Sequence, residues 1–155
     1  MIYIAHRGLF KGPDKTLENH PGQIMYALEQ GYNCEVDVRL VGNKLYLGHD
    51  EPQYEIDEYW LRDSNLWIHC KNKEALDWFY KCNYWSYNYF WHEDDHYTLT
   101  SKGYIWTHPK AQLLSKSIMV MPEHFDDTLN NAMNATCFAI CSDYVELIKS
   151  KRNDL

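Results

Sequence analysis

Side chains suited to acid–base and metal chemistry follow several short apolar runs in the first half of the chain. They are His6 and Arg7, Glu35 and Asp37, His49 and Asp50, and His69 and Lys71. A histidine, with a pKa near ~6.5, reaches both protonation states at neutral pH and can act as general acid or base. Two carboxylates held side by side repel each other unless a cation lies between them, and their oxygens suit Mg²⁺ or Ca²⁺. The pattern therefore predicts a divalent-metal site with histidines beside it.

Short β-rich runs must position these groups, and they recur along the whole chain. Strands are predicted at Ile2–Ala5, Cys34–Leu40, Lys44–Leu47, Leu66–Cys70, Tyr87–Trp91, Tyr104–Thr107, Ile118–Met121 and Phe138–Cys141. Helices are predicted at Pro21–Gln30, Lys73–Lys81, Pro109–Lys116, Asp126–Asn134 and Tyr144–Lys151. Strands that alternate with helices favour an α/β fold with mostly parallel strands. Eight strands suit a barrel of about 250 residues, so we predict a compact TIM-like (β/α)8 barrel with several helices shortened or missing.

One connection is too short to contain a helix. Gly42-Asn43 is typical of a two-residue hairpin turn, whereas parallel strands need a crossover of about a dozen residues. The second and third predicted strands should therefore form an antiparallel hairpin in which Val41 pairs with Lys44.

The hairpin and the alternation of strand side chains together place the polar groups. Glu35 and Asp37 occupy alternate positions of one strand, so they are expected to share a face. The hairpin brings His49 back to within one residue of this pair. Strict alternation would put His49 on the other face, and a bend at Gly48 would turn it inward. The sequence therefore predicts proximity of His49 to the two acids.

Composition limits the class of protein. A length of 155 residues fits a single domain, residues 1–155, and 45% hydrophobic and 15% aromatic residues supply its core. Fifteen basic and 22 acidic side chains give a net charge of −7 without a basic run, so nucleic acid is not an expected partner. No apolar run is long enough for a membrane span. Five cysteines without a CxxC pair, and a start that lacks the features of a secretory signal, predict a cytoplasmic protein with reduced thiols.

The order of the motifs resembles that of the glycerophosphodiester phosphodiesterases. Members of that family open with a strand ending in His-Arg-Gly, followed by Glu-Asn, a Glu-x-Asp strand and a strand ending in His-Asp. The matching segments here are Ile4–Gly8, Leu17–Asn19, Cys34–Val38 and Leu47–Asp50. The similarity returns at Ile68–Lys71 and at Ile140–Tyr144, where the family has Thr-Asp-Tyr, while residues 72–135 match poorly.

The resemblance implies a metal-dependent phosphoric diester hydrolase of lipid metabolism that acts on a glycerophosphodiester or a similar small phosphodiester. It implies catalytic roles for His6 and His49, phosphate binding by Arg7 and Lys71, and metal binding by Glu35 and Asp37, with Glu18 as a supporting ligand or a partner of Arg7. Which histidine is the acid stays open. Attack by a hydroxyl of the substrate would give a cyclic phosphate first, whereas attack by water would not.

One strand departs from the family pattern. The family carries Glu-x-Lys, with the glutamate as third protein ligand, whereas this chain has His69-x-Lys71. Imidazole suits Mn²⁺ or Zn²⁺ better than Ca²⁺. We therefore expect one divalent ion, Mg²⁺ or Ca²⁺, with Mn²⁺ or Zn²⁺ as alternatives because of His69.

Other readings of the same residues stay open. Further polar groups follow the later strands, at His92–Asp94, Thr107-His108 and Glu123-His124, and either line a pocket or meet solvent. Trp91 and Trp106 either stack on a ligand or pack in the core.

Two rival functions remain. The first is a zinc-dependent hydrolase that uses these histidines, although its usual His-x-His is absent from the first strand. The second is a non-catalytic barrel that binds a phosphorylated ligand. Exposed strand flanks would be covered in a homodimer.

Overall fold

A curled sheet of ten strands organises the computed structural model, which describes residues 1–82, 87–126 and 128–153. The strands are β1 (Ile2–Ala5), β2 (Asn33–Val41), β3 (Lys44–Leu47), β4 (Tyr54–Ile56), β5 (Leu66–Cys70), β6 (Tyr89–Phe90), β7 (Tyr97–Leu99), β8 (Ile105–Thr107), β9 (Ser117–Val120) and β10 (Ala139–Ser142). The helices are α1 (Pro21–Glu29), α2 (Lys73–Lys81), α3 (Asn130–Asn134) and α4 (Val145–Asn153), with 3-10 turns at Glu58–Arg62 and Pro122–His124.

Parallel pairing dominates the centre of the sheet. The order β6-β5-β2-β1-β10-β9-β8 has every neighbour parallel. Strand β7 pairs antiparallel with β8, and the β3–β4 hairpin continues antiparallel from the carboxyl half of β2. Because β10, β1, β2 and β5 are parallel neighbours, the residues that follow or end these strands meet at one edge of the sheet.

The prediction of a (β/α)8 barrel is wrong. The sheet curls into a half-barrel, and the described residues contain four α-helices rather than one after each strand. The helix predicted at Pro109–Lys116 is not formed, and turns and bends join β8 to β9 there. That connection is too short for the usual crossover of about a dozen residues. Strands β4 and β7, which replace crossovers with hairpins, were not predicted.

The β2–β3 hairpin confirms the predicted register. Val41 lies opposite Lys44, and Val38 lies opposite Leu47. Gly42 and Asn43 have φ angles of 55° and 66°. A two-residue type I′ hairpin turn requires such left-handed values at both of its central positions. The turn chemistry and the strand pattern point to the same pairing here, so the prediction needed no long-range information.

Helix α2 covers the outer face of β2 and β5 and is tied to β2 at its start. The side chain of Asn72 accepts from the backbone N–H of Ala75 and therefore caps the helix. The same amide accepts from the N–H of Leu40 and donates to its carbonyl, at 3.1 and 2.9 Å. Phe79 is 1% exposed on the buried face, and its burial contributes about 1.5–3 kcal/mol. This packing fixes the outer side of the strands that carry the polar site.

Alternation along β2 separates packing from chemistry. Cys34, Val36 and Val38 are fully buried in the outer cluster, which also contains the apolar faces of α1 and α2. Glu35 and Asp37 point to the opposite, inner face. A second cluster, drawn from strands alone, fills that inner face with Ile4, Trp67, Phe90, Trp106, Ile118, Ala139 and Cys141. The acids therefore sit where the concave side of the sheet reaches its carboxyl edge.

Two further features of the described part of the chain bear on the sequence predictions. Each of the five cysteines is unpaired. None of the described helices has the length and the apolar character that a membrane crossing requires.

Candidate metal centre

Three side chains from two neighbouring strands converge into what we call the acid–histidine cluster, Glu35 and Asp37 of β2 and His69 of β5. Asp37 and His69 are direct neighbours across the parallel pair. One ligand atom of each residue lies within 4.8 Å of the others. The two acids are 2% and 1% exposed. Two buried carboxylates and an imidazole form a donor set suited to a divalent cation.

Two contacts fix the ring of His69. Phe90 stacks against it at 4.9 Å between ring centroids and 13° between planes. Its Nε2 lies 3.2 Å from the carbonyl oxygen of His92, which can only accept, so Nε2 carries the proton of this hydrogen bond. Metal-binding histidines commonly donate their second N–H in this way. The arrangement leaves Nδ1 facing the two acids, 3.2 Å from Asp37 Oδ1 and 3.7 Å from Glu35 Oε1.

The electrostatics of the cluster favour a positive charge at its centre. Burial lowers the pKa of His69, but hydrogen bonding to Asp37 and Glu35 and their charges outweigh it and raise the pKa to about 9. Burial raises the pKa of Asp37, but His69 and the charge of Arg7 hold it well below its usual range. Oδ1 of Asp37 is buried, and Nδ1 of His69 lies 3.2 Å from it. A bound cation would take the place of the proton between these two atoms.

Arg7, which follows β1, joins three acids. Its backbone N–H donates to Glu35 Oε2 at 3.1 Å. Its guanidinium donates from Nη1 to Glu18 Oε2 at 2.8 Å, and Nε lies 3.1 Å from Asp37 Oδ2. Of the two roles expected for Glu18, the contacts show the pairing with Arg7, and Glu18 is not part of the acid–histidine cluster.

Asn19 is a site residue that the sequence reasoning missed. It is fully buried, its Nδ2 donates to Asp37 Oδ2, and its Oδ1 accepts from the N–H of Asp37, both at 2.9 Å. Its backbone N–H donates to the carbonyl of Arg7. Its φ of 56° is left-handed, which asparagine tolerates better than most residues. In the sequence, Asn19 stands out only as part of the Glu-Asn motif. The tolerance of asparagine for a left-handed backbone is the signal that could have identified it as a site residue.

His6 lies on the inner face, two residues after Ile4. Its Nδ1 is 2.9 Å from Asp143 Oδ1, and its Nε2 is 4.0 Å from Glu35 Oε2. Burial lowers the pKa of His6, but the hydrogen bond to Asp143 and the charge of Glu35 raise it above the ordinary value. His6 is therefore brought to the acid–histidine cluster as the sequence predicts, with a partner, Asp143, that the sequence reasoning did not assign to the site.

His49 lies farther out than His6. The N–H of Gly48 donates to the carbonyl of Asp37 at 3.1 Å, so the backbone is close to the cluster. Gly48 has a φ of 148°, and a Cβ there would lie 2.0 Å from a backbone oxygen, so only glycine fits this bend. The imidazole of His49 is 36% exposed and pairs through Nδ1 with Asp50 at 2.8 Å.

An open cleft of about 380 Å³ runs from His49 to Arg7, the residue that contacts Asp37 of the cluster. It is lined by Arg7, Lys15, Glu18, His49, Asp50, Glu51 and Gln53. Lys71 directly follows β5, and its backbone N–H donates to the carbonyl of Val38 at 2.9 Å, so this residue lies at the same edge of the sheet. The predicted residues thus form an inner group around the acid–histidine cluster and an outer group along the cleft.

The later polar residues and tryptophans take mixed positions. His92 supplies the carbonyl that holds His69, and burial and the charge of His69 lower the pKa of its imidazole. Trp106 is 5% exposed and packs 4.5 Å from Phe90, so it is a core residue rather than a stacking platform. Trp91 is partly buried against the outer cluster.

Comparisons with known proteins add no relative. No family model matches the chain, and no curated protein and no solved structure matches it. The resemblance to the glycerophosphodiester phosphodiesterases therefore rests on the sequence motifs and stays a prediction. The geometry of the acid–histidine cluster stands independently of that resemblance.

Proposed function

We propose that this protein is a metal-dependent phosphoric diester hydrolase acting on a glycerophosphodiester or a similar small phosphodiester. The observation that carries the proposal is the acid–histidine cluster, in which two buried carboxylates face an imidazole of fixed orientation. Arg7 and His6, which each have a carboxylate partner, lie beside it, and His49, which pairs with Asp50, lies farther out along the cleft. These are the groups that metal-assisted phosphodiester cleavage requires.

Glu35, Asp37 and His69 would hold one divalent ion. The bound ion would supply a Lewis acid that offsets negative charge on the phosphoryl oxygens. The fit to the residues rests on the buried Oδ1 of Asp37, which faces Nδ1 of His69, and on the orientation of the His69 ring. Two oxygens and one nitrogen favour Mn²⁺ or Zn²⁺ over Ca²⁺, with Mg²⁺ between them in a site that keeps bound water.

Arg7 and Lys71 would bind the phosphate. Arg7 lines the cleft, and its planar guanidinium is suited to phosphate oxygens. Its pairs with Glu18 and Asp37 hold the side chain at the boundary between the cluster and the cleft. Lys71 adds a second positive charge at this edge of the sheet.

His6 and His49 would transfer the protons. Each pairs with a carboxylate through Nδ1, which leaves Nε2 as the nitrogen that would exchange a proton with the substrate. One imidazole would remove a proton from the attacking water or substrate hydroxyl, and the other would protonate the departing alcohol. His6 beside the cluster and His49 along the cleft lie at different depths, which suits work on two different oxygens.

The test is hydrolysis of bis(p-nitrophenyl) phosphate and glycerophosphocholine. The protein is first freed of metal with a chelator and is then supplied with Mg²⁺, Ca²⁺, Mn²⁺ or Zn²⁺. We expect turnover that chelator abolishes and that His6→Ala or His49→Ala lowers by ~10²-fold or more. Metal analysis should find one ion per chain, and two tightly bound zinc ions would instead support the zinc hydrolase. Metal and phosphate binding without turnover by any ion would refute the proposal in favour of a non-catalytic binder.

A further inference from the structure

Asp143 meets His6 because of the way the two ends of the chain pair. Strands β1 and β10 are parallel, with Ala5 opposite Ser142. The residues that follow, His6 and Asp143, are therefore neighbours at the carboxyl edge of the sheet. Asp143 is 6% exposed, and its carboxylate contacts the His6 ring at 2.9 Å.

Glu123 holds the backbone that carries Asp143. Its Oε1 accepts from the backbone N–H of Asp143 at 2.9 Å and from the hydroxyl of Ser142 at 2.8 Å. The same hydroxyl oxygen accepts from the N–H of Tyr144. One carboxylate from the loop after β9 therefore fixes the segment that follows β10.

The loop that presents Glu123 has a costly backbone conformation. Met121 adopts a left-handed φ of 44°, although it is not glycine, and starts the 3-10 turn Pro122–His124. Its N–H donates to the carbonyl of Cys141 at 2.8 Å, which anchors the loop to β10. Such conformations persist where the surroundings require them and cluster at functional sites.

The contact with Asp143 decides which nitrogen of His6 is free. An ionised carboxylate can only accept, so Nδ1 of His6 carries the hydrogen of this bond. The neutral ring then has its lone pair on Nε2, which lies on the side of Glu35. Without this partner, the neutral ring would be free to carry its proton on Nε2 instead.

We propose that Asp143 is the positioning residue for His6, that it holds the Nδ1–H form with Nε2 towards the acid–histidine cluster, and that Glu123 keeps Asp143 in place. The inference rests on the proposed phosphodiesterase function for its catalytic consequence. Its structural part, the state of the His6 ring, does not depend on activity.

The experiment follows the His6 ring by ¹⁵N NMR in the 155-residue chain. Spectra are recorded without metal and with Mg²⁺, at a pH where the ring is neutral. His6→Gln identifies the signals. We expect the Nδ1–H form in the wild type and a shift towards Nε2–H in Asp143→Ala. Glu123→Ala, which leaves Asp143 itself intact but removes the oxygen that accepts from Asp143 N–H and Ser142 Oγ–H, should shift the ring in the same direction by a smaller amount.

Kinetics give the second readout. Asp143→Ala should lower kcat by ~10²-fold or more while KM changes little, and Glu123→Ala should lower kcat by ~10-fold. Glu146→Gln is the matched control, because this exposed acid of α4 pairs with Lys11 and does not contact His6. It should leave both the ring signals and kcat unchanged.

The outcomes separate the two proposals. Wild-type His6 signals in Asp143→Ala, or in a folded Glu123→Ala variant if Asp143→Ala does not fold, would overturn the positioning role. A wild-type protein without turnover, but with the expected change in the His6 ring, would refute the proposed function and leave the role of Asp143 standing.

Discussion

The affinity of the acid–histidine cluster for Mn²⁺ is expected to depend steeply on pH, because a proton and the metal ion compete for Nδ1 of His69. This nitrogen faces Asp37 and Glu35, and their hydrogen bonds and charges raise the pKa of His69 to about 9 against the opposing effect of burial. Below that pH the ring is mostly protonated in the metal-free protein. Binding of the metal ion must then release the proton.

The magnitude follows from the pKa. Each unit of pH below about 9 reduces the neutral fraction of His69 roughly tenfold, so apparent affinity should rise about 10²-fold between about pH 6.5 and 8.5. Calorimetric titration with Mn²⁺ in two buffers of different ionisation enthalpy measures both the affinity and the protons released. We expect close to one proton per ion from His69 at the lower pH.

His69→Gln is the control, since it removes the competing proton while keeping a polar side chain of similar size. This variant should bind more weakly at high pH and show a flatter pH dependence. An affinity of the wild type that changes less than about threefold over the same range, with no proton released, would refute the assignment of His69 as a ligand through Nδ1.

The remaining predictions concern the stability of the metal-free protein. His69 has a raised pKa in the folded state, so its protonation stabilises the folded protein. This contribution to the free energy of unfolding is complete below the pKa of the unfolded chain, near ~6.5. It is lost as pH rises through about 9, by up to about 3 kcal/mol. Urea unfolding in chelator across this range measures it, and stability that stays constant or rises would contradict the reasoning. Asn19→Ala should destabilise the fold by about 2–4 kcal/mol, because it removes two hydrogen bonds to buried Asp37 and places alanine at a left-handed φ. Unfolding of Asn134→Ala, an exposed asparagine, provides the comparison, and equal loss in both variants would argue against the role of Asn19.

Local patterns were sufficient to predict the polar face of β2 and the hairpin that follows it. Alternation alone places Glu35 and Asp37 on one face, and the Gly42-Asn43 turn sets the register to β3. Both depend on residues that are close in the sequence. His69, by contrast, was expected as a metal ligand only through the family resemblance, and the parallel pairing of β5 with β2 brings it next to Asp37.

The fold as a whole could not be predicted in the same way. Eight strand-like runs suggested a barrel, but the length of each connection, rather than the number of strands, decides whether a helix can form between them. The pairing of His6 with Asp143 spans 137 positions in the chain and depends on β10 returning beside β1. No periodicity in either segment indicates this contact.

The in-register pairing of β2 with β5 has a consequence for how errors in folding would affect function. Sliding β2 by one residue would exchange its inner and outer side chains, putting Cys34, Val36 and Val38 on the inner face and two carboxylates against the helices. Such a misfolded state would lose both the hydrophobic packing of the outer cluster and the set of metal ligands. Correct packing of the core and correct orientation of the acids therefore depend on the same strand register. A chain that buries the apolar side chains of β2 also directs both carboxylates to the inner face.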